Sequence, residues 1–497
     1  MSIDQSAVAR AVGIDTRFRD LRAGAALFLA QHIAIIGQGN TGVTYPLEPW
    51  VATSAQAAGA RYGYGSPIHE ALRELFPIEG GGVAPIRVTV LPLVDDGAGV
   101  AAAGSITPSG AATGIATYWV RIAGILSAPF TTAAGDNVAT IVDKMVLAVD
   151  AVLEMPMDAV DGTTDLDLVA KWKGLSGNDL TVEVLDATGN APTSGLTFAI
   201  VQPASGAADP SVAPALAMIG TDWVTLIVNA LGPSNTTALG LIAAKGEARW
   251  DQLVRRPFVC FTGNPEAVLA TSIAVPAARP TDRVNAQCVS PGSVHLPVQI
   301  AAAQVREIAK LANNNPPTDY GGLAVRSLLP GADNLQWDYA TRDLAVKAGS
   351  STVEVRDGIV RLSDIVTMYH PTGEVPPAYR HVVDIVKLMQ VIYNFDLEFS
   401  KPEWNGAPLI PDGQPTVNPN ARTPSAAKAR ACQILDGLGL QAIISDPATA
   451  KKNTTASINS GNPKRLDLTT VVQLSGNSNI ISIDLNFGFF FGQAVAA

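Results

Sequence analysis

The sequence predicts an α/β (α+β) multidomain chain with a β-rich insert and extended arms at both ends. Three observations carry that reading. The apolar run His32 to Gly37, a helix opened by Ser66-Pro67, and the β-rich run Ile86 to Leu93 follow one another as strand, helix and strand, an α/β unit. From about 98 the texture turns Ala/Gly/Thr-rich and alternating, and the α/β pattern resumes after the Pro/Ala/Ser/Gly link at 203–215. At 497 residues the chain exceeds one ordinary core, so about two to four domains are expected.

Along the chain, Val12, Ile14, Thr16 and Phe18 alternate with polar residues, a strand pattern with no partner close in sequence. In the first helix Ser66 is the N-cap, Pro67 takes the first turn, and Ile68, Leu72, Leu75 and Phe76 form the apolar stripe. Within the insert, Tyr118–Ile122 reads as a strand and 139–155 as a helix, with Ile141, Met145, Val149 and Val152 on one side. Leu166/Leu168/Ala170/Trp172, Leu180/Val182/Val184 and Leu196/Phe198/Ile200 are alternating strands. Beyond it come strands at 223–228 and 258–261, a helix around 301–311, and a hairpin over 353–362 pivoting on Asp357-Gly358. A long amphipathic helix is expected over 378–395, a proline-rich loop over 402–424, and a helix carrying Cys432. Two closing strands, 466–475 and 479–491, end the chain. In the second, Ile481, Ile483, Leu485, Phe487, Phe489 and Phe491 face one way. The segments expected are 1–22, 23–97, 98–202, 203–330, 331–475 and 476–497.

Composition narrows the function. The chain is 47% hydrophobic and 16% charged, below the quarter or so typical of soluble domains, which favours self-assembly over a free monomer. The net charge is −10 and no run of five Lys/Arg occurs, so nucleic-acid binding is not expected. Met1–Ala11 has no basic and apolar leader pattern, and 25–36 is too short to span a bilayer, so a cytoplasmic chain without membrane insertion is expected. Cys260, Cys288 and Cys432 fit no zinc or CxxC spacing. They read as small buried apolar residues or, on the sharper reading, as thiols that pair between subunits.

Catalytic chemistry is sparse. Gly37, Gly39 and Gly42 form a literal GxGxxG after a strand, the pattern of a dinucleotide site and the basis of an alternative reading as a nucleotide-binding enzyme. Pro46 and Pro49 follow too closely for the helix such a site requires. No Walker A or GxSxG motif is present. His370 and His381, with Glu374 between them, straddle three prolines, so no helix presents them as metal ligands. No cofactor, metal or catalytic residue is expected. The open edges are more informative: an unpaired apolar strand is a hazard in a monomer and a connector in an assembly.

Several segments fall in a familiar order. They are Ile35-Ile-Gly-Gln-Gly39, Tyr64-Gly-Ser66 opening a helix that ends Arg73-Glu-Leu-Phe76, Lys173-Gly-Leu-Ser-Gly-Asn178, Ala207-Ala-Asp-Pro210, Ile365-Val-Thr-Met-Tyr369 and Asn462-Pro-Lys-Arg-Leu466. In order and spacing, over most of the chain, they resemble the tail sheath family of contractile phages, the Mu-like branch in particular. The 313–326 stretch departs from the pattern. The resemblance implies a non-enzymatic virion protein with a sheath-type core. It would form hexameric rings stacked as a helical sleeve around a tail tube, and contract without nucleotide to drive the tube through the host envelope during genome ejection. The insert would face outward and 331–475 inward to the tube. Partners would be further copies of the chain, the tube protein, and baseplate and terminator proteins, with assembly in the host cytoplasm. Val12, Ile14 and Phe18, and Ile481, Ile483, Leu485, Phe487 and Phe489, would exchange strands between subunits. The rival class of secreted self-assembling surface proteins, such as S-layers or adhesins, is disfavoured by the lack of a leader pattern.

Overall fold

The computed structural model describes residues 27–189, 195–374, 377–478 and 483–485. It separates into two compact units, Leu27–Lys401 and the residues from Pro402 onward. The first begins with strand β1 (His32–Gln38), a short β2 (Trp50–Ala52), helices α1 (Ala55–Tyr62) and α2 (Pro67–Leu75), and β3 (Arg87–Leu93). Each β1 residue is buried, which explains the continuous apolar run. The α2 cap is as the sequence specifies: Ser66 Oγ accepts from His69 N at 3.2 Å and Pro67 follows.

The chain then builds two four-stranded sheets. One holds β4 (Ala101–Gly110), β8 (Met157–Asp161), β9 (Leu166–Lys173) and β11 (Leu196–Ala204), in the order β11-β4-β9-β8. The other runs β10-β5-β6, from β5 (Ala116–Ile122), β6 (Ile125–Leu126) and β10 (Val182–Asp186), with β7 (Phe130–Thr132) pairing β5. Helix α3 (Val138–Asp150) packs against both through Ile141, Met145 and Val149. Gln202 ties the sheets together: its amide accepts from Val182 N at 2.9 Å and donates to Val182 O at 2.8 Å, covering the open side of β10.

After β11 come α4 (Ala213–Met218), β12 (Leu226–Asn229), α5 (Thr236–Trp250), β13 (Val259–Asn264), the single turns α6 (Leu269–Ser272) and α7 (Ala274–Ala277), and β14 (Asn285–Val289). Then follow α8 (Pro297–Asn314), α9 (Tyr339–Lys347), β15 (Ser350–Ser351), the hairpin β16 (Val353–Arg356) and β17 (Ile359–Leu362), and α10 (Val382–Phe399). The hairpin turns on Asp357 and Gly358, both at positive φ (54° and 71°), as the two-residue turn predicts. Helix α10 begins later than the sequence spacing predicts because His381 is still extended and bridges Val366.

One seven-stranded sheet results, in the order β15-β14-β13-β12-β1-β3-β2, parallel except for edge strand β2. Its central strands are buried on both faces. Ile33, Ile35, Val88, Val90, Leu226, Val228, Val259 and Phe261 join the larger core, whereas Ala34, Ile36, Leu91, Leu93, Ile227 and Cys260 join a second core with α4 and α5. The larger core runs on without a break into the two smaller sheets, through Ile106, Val120, Leu166, Trp172 and Val182. Helix α8 lies against this face, and its small residues Ala301, Ala302 and Ala303 are fully buried.

The second unit holds α11 (Pro424–Leu440), α12 (Pro447–Asn453) and a two-stranded sheet of β18 (Thr455–Ile458) and β19 (Leu466–Thr469). Leu474 bridges Ile444, and the described residues 483–485 have no regular structure. No helix among the described residues is long and apolar enough to cross a membrane.

The closest backbone approach in the first unit gives a test. A Cβ built on Gly263 would stand 1.9 Å from the carbonyl oxygen of Pro297, where α8 meets β13. Gly263→Ala is expected to cost about 3 kcal/mol, read as a lower urea midpoint, because backbone rather than a flexible side chain must give way.

Candidate functional site

In a doubly wound sheet, ligands bind beyond the strand C-termini where the strand order reverses. Here that place lies between β1 and β12, since the chain runs from β1 outward to β3 and returns on the other side as β12. The Gly37–Gly42 turn stands at this crevice, and its groups are already committed. Gly39 N donates to Tyr45 Oη at 3.0 Å, Asn40 N to the Tyr62 carbonyl at 2.7 Å, and Thr41 N to the Lys171 carbonyl at 2.7 Å. A Cβ on Gly39 would meet the Tyr45 ring at 2.4 Å, and one on Gly37 the Ala230 side chain at 3.0 Å. These glycines therefore serve close packing. No amide of this set is left to hold a phosphate, and no helix begins before Ala55, so the nucleotide-site reading fails on geometry.

The same turn grips the inserted sheets. Gln38 Nε2 donates to Asp95 Oδ1 at 2.7 Å and to the Lys173 carbonyl at 2.8 Å, and Thr41 Oγ1 donates to Asp95 Oδ2 at 2.5 Å. Asn40 Nδ2 reaches the Tyr64 carbonyl at 2.8 Å. The turn thus joins β1, the end of β9 and the approach to α2.

A second contact forms on α2. Gly65 has φ 79°, and a Cβ there would stand 2.2 Å from the Met155 carbonyl oxygen, so the chain after α3 lies on this glycine. Arg73 reaches Glu70 Oε2 at 2.8 Å and, on the other side, Glu154 at 3.3 Å. Glu70 is fully buried and also accepts from Gln299 Nε2 at 2.8 Å. Burial alone would raise its carboxyl, but Arg73 and the other partners hold it below the usual carboxylate range. His295 packs against Gly124, where a Cβ would come within 2.6 Å of the ring. Its Nε2 accepts from Leu329 N at 3.0 Å, and burial keeps the imidazole neutral, lowering its pKa to about 4.

The third contact is the return link. Gly174, at φ 125°, leads into a short 3-10 turn, Leu175–Asp179. Asp209 Oδ1 accepts from Leu175 N at 2.6 Å, and its Oδ2 accepts from Asn235 Nδ2 at 2.8 Å. Asn235 is itself the α5 N-cap, accepting from Ala238 N at 2.9 Å. Asn178 pairs with Gly206 in both directions, donating at 3.0 Å and accepting at 2.7 Å, and Val100 bridges Ala207. The Lys173–Asn178 motif is therefore the clamp that closes the insert's two connections.

Of the sequence-predicted arm residues, Val12, Ile14, Phe18, Ile481, Phe487 and Phe489 lie outside the described residues, as does Phe491. Ile483 and Leu485 are each 79% exposed and belong to no strand. The partner of β19 is β18 rather than a closing strand, so the expected second strand is absent over 483–485; a lone strand leaves its backbone groups unpaired. Leu27 is held by Asn394, whose amide accepts from Leu27 N at 2.8 Å and donates to Leu27 O at 2.9 Å; Gln390 accepts from Leu29 N at 2.7 Å. Cys260 and Cys288 are fully buried on β13 and β14, and burial pushes both thiols up; Cys432 on α11 is partly exposed. Glu374 accepts from Tyr369 Oη at 2.7 Å and from Ala378 N at 2.6 Å, and His370 Nδ1 contacts the Met368 carbonyl at 2.7 Å.

No family model matches the chain. The Mu-like prophage FluMu tail sheath protein of Haemophilus influenzae is 25% identical over 307 residues, covering 61% of this chain. The match spans 62% of that relative's length. Among solved structures, a sheath tail protein of Desulfitobacterium hafniense is similar at TM-score 0.46 and 14% identity, over 93% of this chain and all of that one. One from Listeria innocua gives 0.47 and 12%, over 91% and 94%. The sheath complex of an extracellular contractile injection system, in its contracted state, gives 0.47 and 9%, over 97% and 99%.

The Glu70 contact is testable. Arg73→Met is expected to cost about 3 kcal/mol in urea unfolding, because it strands a fully buried carboxylate. Adding Glu70→Gln should restore part of that loss, which a merely local packing defect would not do.

Proposed function

We propose that this chain, a member of the contractile tail sheath family by its relationship to the Mu-like prophage protein, is the structural subunit of a tail sheath. It polymerises as stacked hexameric rings around a tail tube and contracts without nucleotide hydrolysis, driving the tube through the host envelope. The observation that carries this reading is the plugged crevice. The ligand position of the sheet is filled by the chain's own insert, and one core runs through both parts, so Leu27–Lys401 is built as a body rather than as a site.

Such a body suits a lattice that stores energy in subunit contacts and releases it by rigid repacking. Segments 1–22 and 476–497 would link neighbours by strand addition, through Val12, Ile14, Phe18, Ile481, Ile483, Leu485, Phe487 and Phe489. The high exposure of Ile483 and Leu485 supports that use. The insert, 98–202, would form the outer surface and 331–475 the tube-facing side. Baseplate and terminator proteins would bind at the two ends of the sleeve. If thiols link subunits, Cys432 is the one with exposed surface to do so.

Negative-stain electron microscopy of the protein expressed alone tests the reading. Hollow striated cylinders are expected, and only monomers or small closed oligomers at high concentration would sink it. Removing residues 1–20 should give soluble subunits that form no cylinders; wild-type-like polymers from that variant would count against the arms.

A further inference from the structure

A cavity of about 330 Å³ opens between α1, α2, the β5–β6 turn and the start of α8. Two buried polar atoms on its lining residues lack partners. His295 is 6% exposed, and its Nε2 already accepts from Leu329 N at 3.0 Å, so the neutral ring carries its proton on Nδ1. That Nδ1 has no hydrogen-bond partner among the described residues. Gly124, which lines the same cavity, leaves the Nδ1 edge uncovered, since a Cβ there would stand 2.7 Å away. Gln299 lines it too but spends its amide elsewhere, accepting from Leu296 N at 2.7 Å and donating to Glu70 at 2.8 Å. The second atom is Glu74 Oε2, on α2. It makes no hydrogen bond, and Arg306 Nη1 stands off at 3.7 Å. Burial raises the Glu74 carboxyl, against the pull of Ser327 and Arg306.

We propose that this cavity binds an arginine residue of a basic peptide, its backbone carbonyl accepting from His295 Nδ1–H and its guanidinium pairing with Glu74. The inference concerns the cavity alone and does not depend on polymerisation.

The two unmet atoms select the ligand, because its occupant must both accept and donate. A simple anion answers only His295, and it faces the carboxylates of Glu74, Glu79 and Glu154 against the one guanidinium of Arg73. That guanidinium is already committed, 2.8 Å from Glu70 and 3.3 Å from Glu154. A lone ammonium answers Glu74 and leaves a buried donor unmet, which is costly. A basic residue within a peptide carries both functions. The carboxylates sit on different elements, so a planar guanidinium with its fork of donors suits them better than a point charge. Phe76, Pro77 and the exposed Ile78 give an apolar wall for the aliphatic stem. At ~30 Å³ per water the cavity holds roughly eleven waters, about the number of heavy atoms in one arginine residue.

Calorimetric titration of the full chain with N-acetyl-L-arginine amide tests the site. Saturable binding in roughly the millimolar range is expected for a ligand of about fifteen heavy atoms. The citrulline counterpart, neutral and of similar shape, should bind at least roughly tenfold more weakly. Glu74→Gln should weaken the arginine ligand about tenfold. His295→Gln, whose amide oxygen can still accept from Leu329 N, removes the Nδ1 proton and should weaken it about threefold or more. Glu247→Gln, in the separate cleft beside Tyr379, should leave the affinity unchanged. Absence of saturable binding would overturn the site, and so would equal affinity for the citrulline ligand. Both are read on the wild type, so the test stands even where a variant fails to fold. Unchanged affinity in Glu74→Gln and His295→Gln together would overturn it as well.

Discussion

The rest of the structure depends on one constraint: β1, β3, β12 and β13 must be buried on both faces at once. Successive residues of a strand point to opposite sides, so Ile33 and Ile35 enter one core while Ala34 and Ile36 enter the other. A sheet of this kind needs cover on two sides. Helices α4 and α5 cover one face, and α8 lies against the other. Once both layers are in place, every intervening segment must leave from the strand ends, and the large insertion between β3 and α4 does so at the C-terminal edge.

That location determines what the fold can do. The C-terminal crevice of a parallel sheet is where backbone amides and helix ends converge, and it is the usual ligand position. Here Gln38, Asn40 and Thr41 turn those groups toward the chain itself, and Asp209 joins the insert to the cap of α5. The cost of leaving polar groups unpaired at this edge is met by the insert rather than by a bound molecule. Under the proposed function, such self-sufficiency would let the two parts of a lattice subunit respond as one body.

How much of this was legible varied with the type of signal. Elements with strong local signatures were readable: the Ser66-Pro67 cap, the Asp357-Gly358 hairpin turn and the alternation of β9 and β10. Strand β4 was not, since Ala-Ala-Ala-Gly-Ser carries little strand propensity and its pairing with β9 and β11 makes it a strand. Helix α5 was missed as well, because its two internal glycines and small residues give a weak periodicity, although its Asn235 cap was present in the sequence. At the junction, the motif residues were visible but their purpose was not. Lys173–Asn178 read as a turn before a strand, and Arg73 only as part of the motif that ends the α2 helix.

The sequence by itself determined the α/β alternation, the α2 cap, the hairpin, and the absence of a helix after the glycine turn. These are decided by neighbours a few residues away, through φ restriction, capping and side-chain period. Only the tertiary structure decided that Gly37, Gly39 and Gly65 are places of close packing, and that Glu70 is a fully buried carboxylate held by Arg73 and Gln299. Several of those contacts join residues far apart in the chain, such as Gly37 with Ala230 and Gln299 with Glu70. Burial and electrostatics there depend on which chain segments exclude water together, and local sequence does not encode that.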